Sequence, residues 1–188
     1  KGRRQLMRLE AKDLSFRYHK GNRQILNHVS VSLDSSDRLG LAAPSGFGKT
    51  TFCKILAGYE QPDEGQVLLD GKPLSEYKGY CPVQLIWQHP QEAVNPRRKM
   101  KTVLEEWMER YPGELSGGEL QRFCIARALG EKTSFLLADE ITAMLDLITQ
   151  SQIWNFLLEE VRSREIGLLV VSHSEPLLQR ICTGRIQL

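Results

Sequence analysis

The sequence predicts an α/β domain with a mainly parallel central sheet, helices on both faces, and antiparallel strands ahead of them. Three observations carry this. An apolar run, Leu39-Gly40-Leu41-Ala42, enters a glycine loop and leaves it as a helical pattern with Phe52, Ile55 and Leu56 on one face. Beyond the loop, short apolar runs alternate with segments of helical period, as in parallel strands joined by crossover helices. Ahead of it, residues 6–42 show the period of two that marks half-buried strands.

Composition narrows the class. With 188 residues the chain is expected to be one domain with a sizeable core. A charged fraction of 26% against 41% hydrophobic excludes a disordered chain. The formal net charge of +2 gives no broad electrostatic case for nucleic acid. Lys1, Arg3, Arg4 and Arg8 read as a solvated basic start. No apolar run approaches the roughly 20 residues that span a bilayer, and none follows the basic start as a secretory signal would. Cys53, Cys81, Cys124 and Cys182 are widely spaced with no CxxC pair, so buried, reduced thiols in the cytosol are expected.

Taken in order, Leu14, Phe16 and Tyr18 alternate, as do Val29, Val31 and Leu33, with Gly21-Asn22 as the hairpin turn between them. The loop itself is Ala43-Pro44-Ser45-Gly46-Phe47-Gly48-Lys49-Thr50-Thr51. Its glycines let successive N–H groups curl inward onto phosphate oxygens, and the following helix start adds positive partial charge. Lys49 is placed to reach the β- and γ-phosphates and the Thr50 hydroxyl to bind Mg²⁺. Ala43 stands where this pattern opens with glycine, so the loop entry must avoid positive φ. Residues 61–65 read as a turn, 66–69 as a strand and Asp70-Gly71 as a second turn. Val83, Leu85 and Trp87 mark a strand ending at Gln88. Residues 89–114 carry three prolines, the charged Arg97-Arg98-Lys99 and a helical piece near residues 103–108.

Leu115-Ser116-Gly117-Gly118-Glu119 opens a helix on which Leu120, Phe123, Cys124 and Ala128 share a face. Small residues leave its first N–H groups bare as an anion site. Ser116 with Glu119 three residues on also forms a capping box, and both readings can hold together. Residues 134–138 form a buried strand ending in Asp139 and Glu140. Asp139 suits a magnesium ligand, and Glu140 is placed to orient or deprotonate a water. Ile153, Trp154, Leu157, Leu158 and Val161 share a helical face. Residues 166–171 are a buried strand, 176–181 a short helix, and Gly184 precedes a last strand.

In this order the motifs resemble the ATP-binding cassette (ABC) ATPases, over nearly the whole chain. Leu-Ser-Gly-Gly-Glu with Gln121-Arg122 resembles the signature, residues 43–51 the Walker A loop, and residues 135–139 Walker B with the catalytic glutamate at Glu140. Ala143-Met144-Leu145-Asp146 resembles the D-loop, Ser172-His173 the switch histidine, Gln88 the Q-loop glutamine and Tyr18 the adenine-stacking aromatic. Phe47 and Ile141 depart from the residues usual in the family.

The resemblance implies a P-loop NTPase fold binding ATP and Mg²⁺. Residues 1–88 and 130–188 would form the nucleotide-binding core with its antiparallel part, and residues 89–129 an incomplete helical and signature subdomain. It implies catalytic roles for Glu140, His173, Lys49 and Gln88, and metal contacts from Thr50, Gln88 and Asp139. Nucleotide contacts are implied for Tyr18, Ser45, Gly46, Phe47, Gly48, Lys49, Thr50 and Thr51. Across a head-to-tail dimer they are also implied for Ser116, Gly117, Gly118, Glu119 and Asp146.

The implied partners are a second ABC ATPase subunit and transmembrane permease subunits, which would hold the chain at the cytoplasmic face of the membrane. Trp87-Gln88-His89-Pro90 with Asn95-Pro96-Arg97 resembles the ATPase subunits of oligopeptide, dipeptide and nickel importers. A soluble ABC ATPase outside transport, or a regulator of low turnover, remains the alternative. Only 27 positions lead from Gln88 to Leu115, fewer than the family's helical subdomain needs. We expect a stretch to be missing near Trp107, which a Cα separation well beyond about 3.8 Å between some consecutive pair of residues from 103 to 111 would reveal. A natural deletion is the other explanation.

Overall fold

A computed structural model describes residues 6–18, 24–42, 46–90 and 115–188. The Gly21-Asn22 turn, the Ala43 entry, the helical piece near residues 103–108 and the Cα separation expected beside it lie outside those residues.

The central sheet is built from β3 (Arg38–Leu41), β6 (Val83–Ile86), β7 (Phe135–Asp139), β8 (Gly167–Val171) and β9 (Gly184–Ile186). Its order is β6-β7-β8-β3-β9, and each neighbouring pair is parallel. All ten residues of β7 and β8 are buried, because both faces of this sheet are covered and neither can carry polar side chains. Phe135, Leu137, Leu169 and Val171 face one core cluster, whereas Leu136, Ala138, Leu168 and Val170 face the other. The first cluster is closed by helix α1 (Lys49–Leu56) through Phe52, Ile55 and Leu56, together with a second sheet. The second is closed by α2 (Gly117–Ala128), α3 (Leu147–Ser163) and α4 (Glu175–Ile181). Each fully buried leucine in these layers contributes about 1.5–3 kcal/mol.

The second sheet is antiparallel and contains β1 (Arg8–Arg17), β2 (Gln24–Asp34), β4 (Glu64–Leu69) and β5 (Lys72–Pro73) in the order β2-β1-β4-β5. Its strands do not all precede the loop, as expected from the sequence. β4 and β5 come after α1 and return to pair with β1, Leu9 opposite Leu69 and Lys12 opposite Gln66. Gly65 makes this return possible. Its φ is +83°, and a Cβ there would stand 2.3 Å from the carbonyl oxygens of Lys12 and Asp13. The strand expected to run to Gln88 ends at Ile86. Trp87 has left the ladder and packs edge-on against Tyr59, with ring centroids 5.2 Å apart. The C-terminal end of β6 thus falls where Trp87 turns to Tyr59, although the alternation continues.

Helix α2 is held at both ends. Ser116 and Glu119 form a complete capping box, with Ser116 Oγ accepting from Glu119 N–H at 3.2 Å and Glu119 Oε2 accepting from Ser116 N–H at 2.8 Å. At the other end Arg164 donates to the carbonyls of Leu129 (2.7 Å) and Gly130 (2.6 Å). Thr133 Oγ1 donates to the carbonyl of Ala128 at 2.7 Å. A cation at a helix C-terminus is favoured by the dipole as well as by its hydrogen bonds. Arg164→Met keeps the aliphatic stem and removes both bonds. We expect it to lower unfolding free energy by about 1–3 kcal/mol, read from urea denaturation; an unchanged midpoint would show that these bonds add nothing.

Candidate functional site

The loop after β3 delivers the chain to α1 through two left-handed glycines, Gly46 at φ +81° and Gly48 at +78°. Gly48 is the N-cap residue and supplies no side-chain cap, and the first turn carries no acidic residue. Among the described residues, no capping side chain competes for the start of α1. Space adds a second reason for glycine at 48. A Cβ there would lie 2.6 Å from Ile25 Cγ2 and 3.1 Å from the Ile25 carbonyl oxygen. Ser45 lies outside the described residues. Phe47, between the two glycines, is 49% exposed.

A cleft of about 410 Å³ opens at this helix start, lined by Ile25, Gly46, Gly48, Lys49, Thr50, Thr51, Gln88, Glu140 and His173. Lys49, the first residue of α1, is only 7% exposed. Thr50 hydrogen-bonds through its side chain to Asp139, the last residue of β7. The two expected metal contacts therefore meet, although one follows the phosphate loop and the other ends a strand 89 positions later. Burial pushes the Asp139 carboxyl upward; the Thr50 bond opposes this, Glu140 adds to it, and Lys49 opposes it.

Glu140 leaves β7 in the left-handed region, at φ +49°. For a residue with a Cβ this conformation costs about 1–2 kcal/mol, and such strain gathers at functional sites. It is held by the Glu140 N–H donating to the Val171 carbonyl at 3.0 Å and the Ala143 N–H donating to the Glu140 carbonyl at 3.0 Å. The carboxylate then meets two partners from other strand ends. His173 Nε2 is 2.8 Å from Oε1, and Gln88 Nε2 donates to Oε2 at 3.4 Å. Gln88 is thus engaged through its amide nitrogen, whereas a metal would take its oxygen.

Tyr18 stands just past β1, 44% exposed. Its hydroxyl is 3.1 Å from Thr51 Oγ1, and its ring meets Phe16 edge-on at 4.9 Å. It is tethered to the loop, but does not line the cleft. Nor do Ser116, Gly117, Gly118, Glu119 and Asp146, which sit at two adjacent helix starts. A Cβ on Gly118 would be 3.6 Å from the Thr149 methyl. Asp146 caps α3, accepting from the N–H groups of Ile148 and Thr149 at 3.0 Å and from the Thr149 hydroxyl at 2.6 Å. These bonds, the Thr149 hydroxyl foremost, hold its carboxyl below the ordinary aspartate value. Ile25 was not singled out from the sequence. It belongs to β2 and reaches the cleft only because that sheet lies over the loop.

The family model described as "ABC transporter" matches residues 26–143. The chain belongs to this family. Among similar proteins, the nickel import ATP-binding protein NikE of Escherichia coli O6:K15:H31 is 29% identical, over 93% of this chain and 81% of that one. The protein of the same name from Rhodospirillum rubrum is 30% identical, over 84% and 70%. The match to the former runs over 216 positions, more than the 188 residues here, so the alignment contains positions at which this chain has no residue.

Among solved structures, the dimeric MJ0796, a bacterial ABC transporter cassette, has a TM-score of 0.80 at 22% identity, covering 96% of this chain and 94% of that one. The same cassette in a post-hydrolysis state bound to ADP and Pi has a TM-score of 0.79 at 23% identity, over 96% and 94%. This ABC chain is accordingly a P-loop ATPase domain, an ATP-binding subunit homologous to NikE. Among its described residues no helix is long and apolar enough to cross a membrane.

Proposed function

We propose that this ABC subunit hydrolyses ATP between two head-to-tail cassettes and drives import of a small solute such as nickel or a peptide. Permease subunits would hold it at the cytoplasmic membrane face. The observation that carries the reading is the split of the expected nucleotide contacts. One set surrounds the cleft at α1, while the Ser116-Gly117-Gly118 helix start and Asp146 stand apart from it on the same chain.

Within the cleft the N–H groups of α1 and the Lys49 ammonium would bind the phosphates, and Tyr18 would stack on the base. Glu140 would accept the proton of a water aligned on the γ-phosphorus, and Gln88 and His173 orient its carboxylate. Catalysis of this kind is positioning and charge stabilisation. The Thr50 hydroxyl and the Asp139 carboxylate form the hard oxygen pair that fits Mg²⁺, with Gln88 as a further ligand; few protein ligands suffice when phosphates complete the shell. Bound there, the ion would neutralise charge on the phosphate oxygens.

If the relatives' extra aligned positions fall between Gln88 and Leu115, either a stretch is missing there or a natural deletion has shortened the surface offered to a permease. Ser116→Arg tests the two-cassette arrangement. With hydrolysis blocked by Glu140→Gln, light scattering should show an ATP-dependent dimer that the arginine abolishes. Ser116→Ala is the control, since it removes the same cap, worth about 1 kcal/mol, without bulk or charge. A dimer that survives arginine would rule out a role for this helix start across the interface.

A further inference from the structure

Helix α2 does more than present the small residues at its start. Gln121 and Cys124, three positions apart and so on one helical face, are 2% and 1% exposed. Both reach the segment that follows β6. Gln121 Nε2 donates to the Trp87 carbonyl at 3.5 Å, a long bond, and Cys124 Sγ donates to the Pro90 carbonyl at 3.7 Å. These two bonds bracket Gln88, whose amide in turn donates to Glu140. Burial pushes the Cys124 thiol up to about 11, so it remains a donor at neutral pH. An apolar side chain at 121 would fill this buried place without a polar group to satisfy. A glutamine there needs a partner, and the Trp87 carbonyl is one.

We propose that Gln121 is a positioning residue for hydrolysis, fixing the backbone at Trp87 so that Gln88 meets Glu140 and so that shifts of α2 reach the carboxylate. Because α2 is a hydrogen-bonded rod capped at both ends, a displacement at Ser116 moves Gln121 with it. The path is then Ser116, α2, Gln121, the Trp87 carbonyl, Gln88 and Glu140. This rests on the reading of Gln88 and Glu140 as parts of the hydrolytic site, which Glu140→Gln tests separately.

Gln121→Met keeps the length and removes the donor. In steady-state ATPase assays of the full chain we expect kcat to fall about 3- to 10-fold, the scale of one coupled contact, with KM for ATP unchanged, because Lys49 and Thr50 are untouched. Combined with Gln88→Ala, it should add no further loss. A double variant that loses the product of the two single effects, or a change in KM alone, would overturn the proposal. Should Gln121→Met not fold, the Cys124 variants decide. Cys124→Ala should lower kcat and Cys124→Ser, which keeps a donor, should retain it; equal turnover in the two would overturn the proposal.

Discussion

Glu140→Gln is expected to lower ATP turnover by about 10²- to 10⁴-fold, the range of a lost general base, while leaving MgATP affinity unchanged. The substitution suits the geometry. An amide oxygen can still accept from the His173 ring, 2.8 Å away, and Gln and Glu bear the same strain at φ +49°. The capacity to take a proton is lost, and the new amide nitrogen faces the Gln88 amide, which must turn its oxygen inward to meet it. Binding should persist, because Lys49, Thr50 and the start of α1 are untouched, and an ATP-bound dimer should accumulate. Single-turnover hydrolysis measured beside equilibrium ATP binding separates the two effects. Near-normal turnover would assign proton acceptance to another group.

Lys49→Ala should act on the other quantity. Lys49 is nearly buried at the first position of α1, so its ammonium has little water to replace a phosphate. Losing one hydrogen bond to a charged group costs about 1.5–3 kcal/mol, which corresponds to about 10- to 150-fold weaker ATP binding. Alanine is a strong helix former, so α1 should persist and circular dichroism should be unchanged. A second consequence follows from Asp139. Lys49 is one of the charges that oppose the upward push of burial on that carboxyl, and its removal lets burial act with less opposition. Unchanged affinity in a fluorescent-nucleotide titration would argue against the phosphate-loop assignment.

The buried strands β7 and β8 were legible because a sheet covered on both faces writes unbroken apolar runs. The helix after the glycine loop and the faces of α2 and α3 were legible through their period, since each helix buries one stripe. Local chemistry also announced the end that caps itself, Ser116 with Glu119. Trp87 shows where this stops. Its alternation with Val83 and Leu85 continues on paper, yet its ring is taken up by Tyr59.

The amino-acid order alone thus established the α/β class, the loop that belongs at a helix start, and the carboxylates that end a buried strand, since each depends on neighbours a few residues away. Tertiary structure decided the rest. It returned β4 and β5 to β1, set Ile25 against Gly48, joined Thr50 to Asp139, and met the left-handed Glu140 with Gln88 and His173. The physical reason is common to all four. These contacts join distant segments through sheet pairing and side-chain packing, and periodicity carries no information about which strand becomes the neighbour of which.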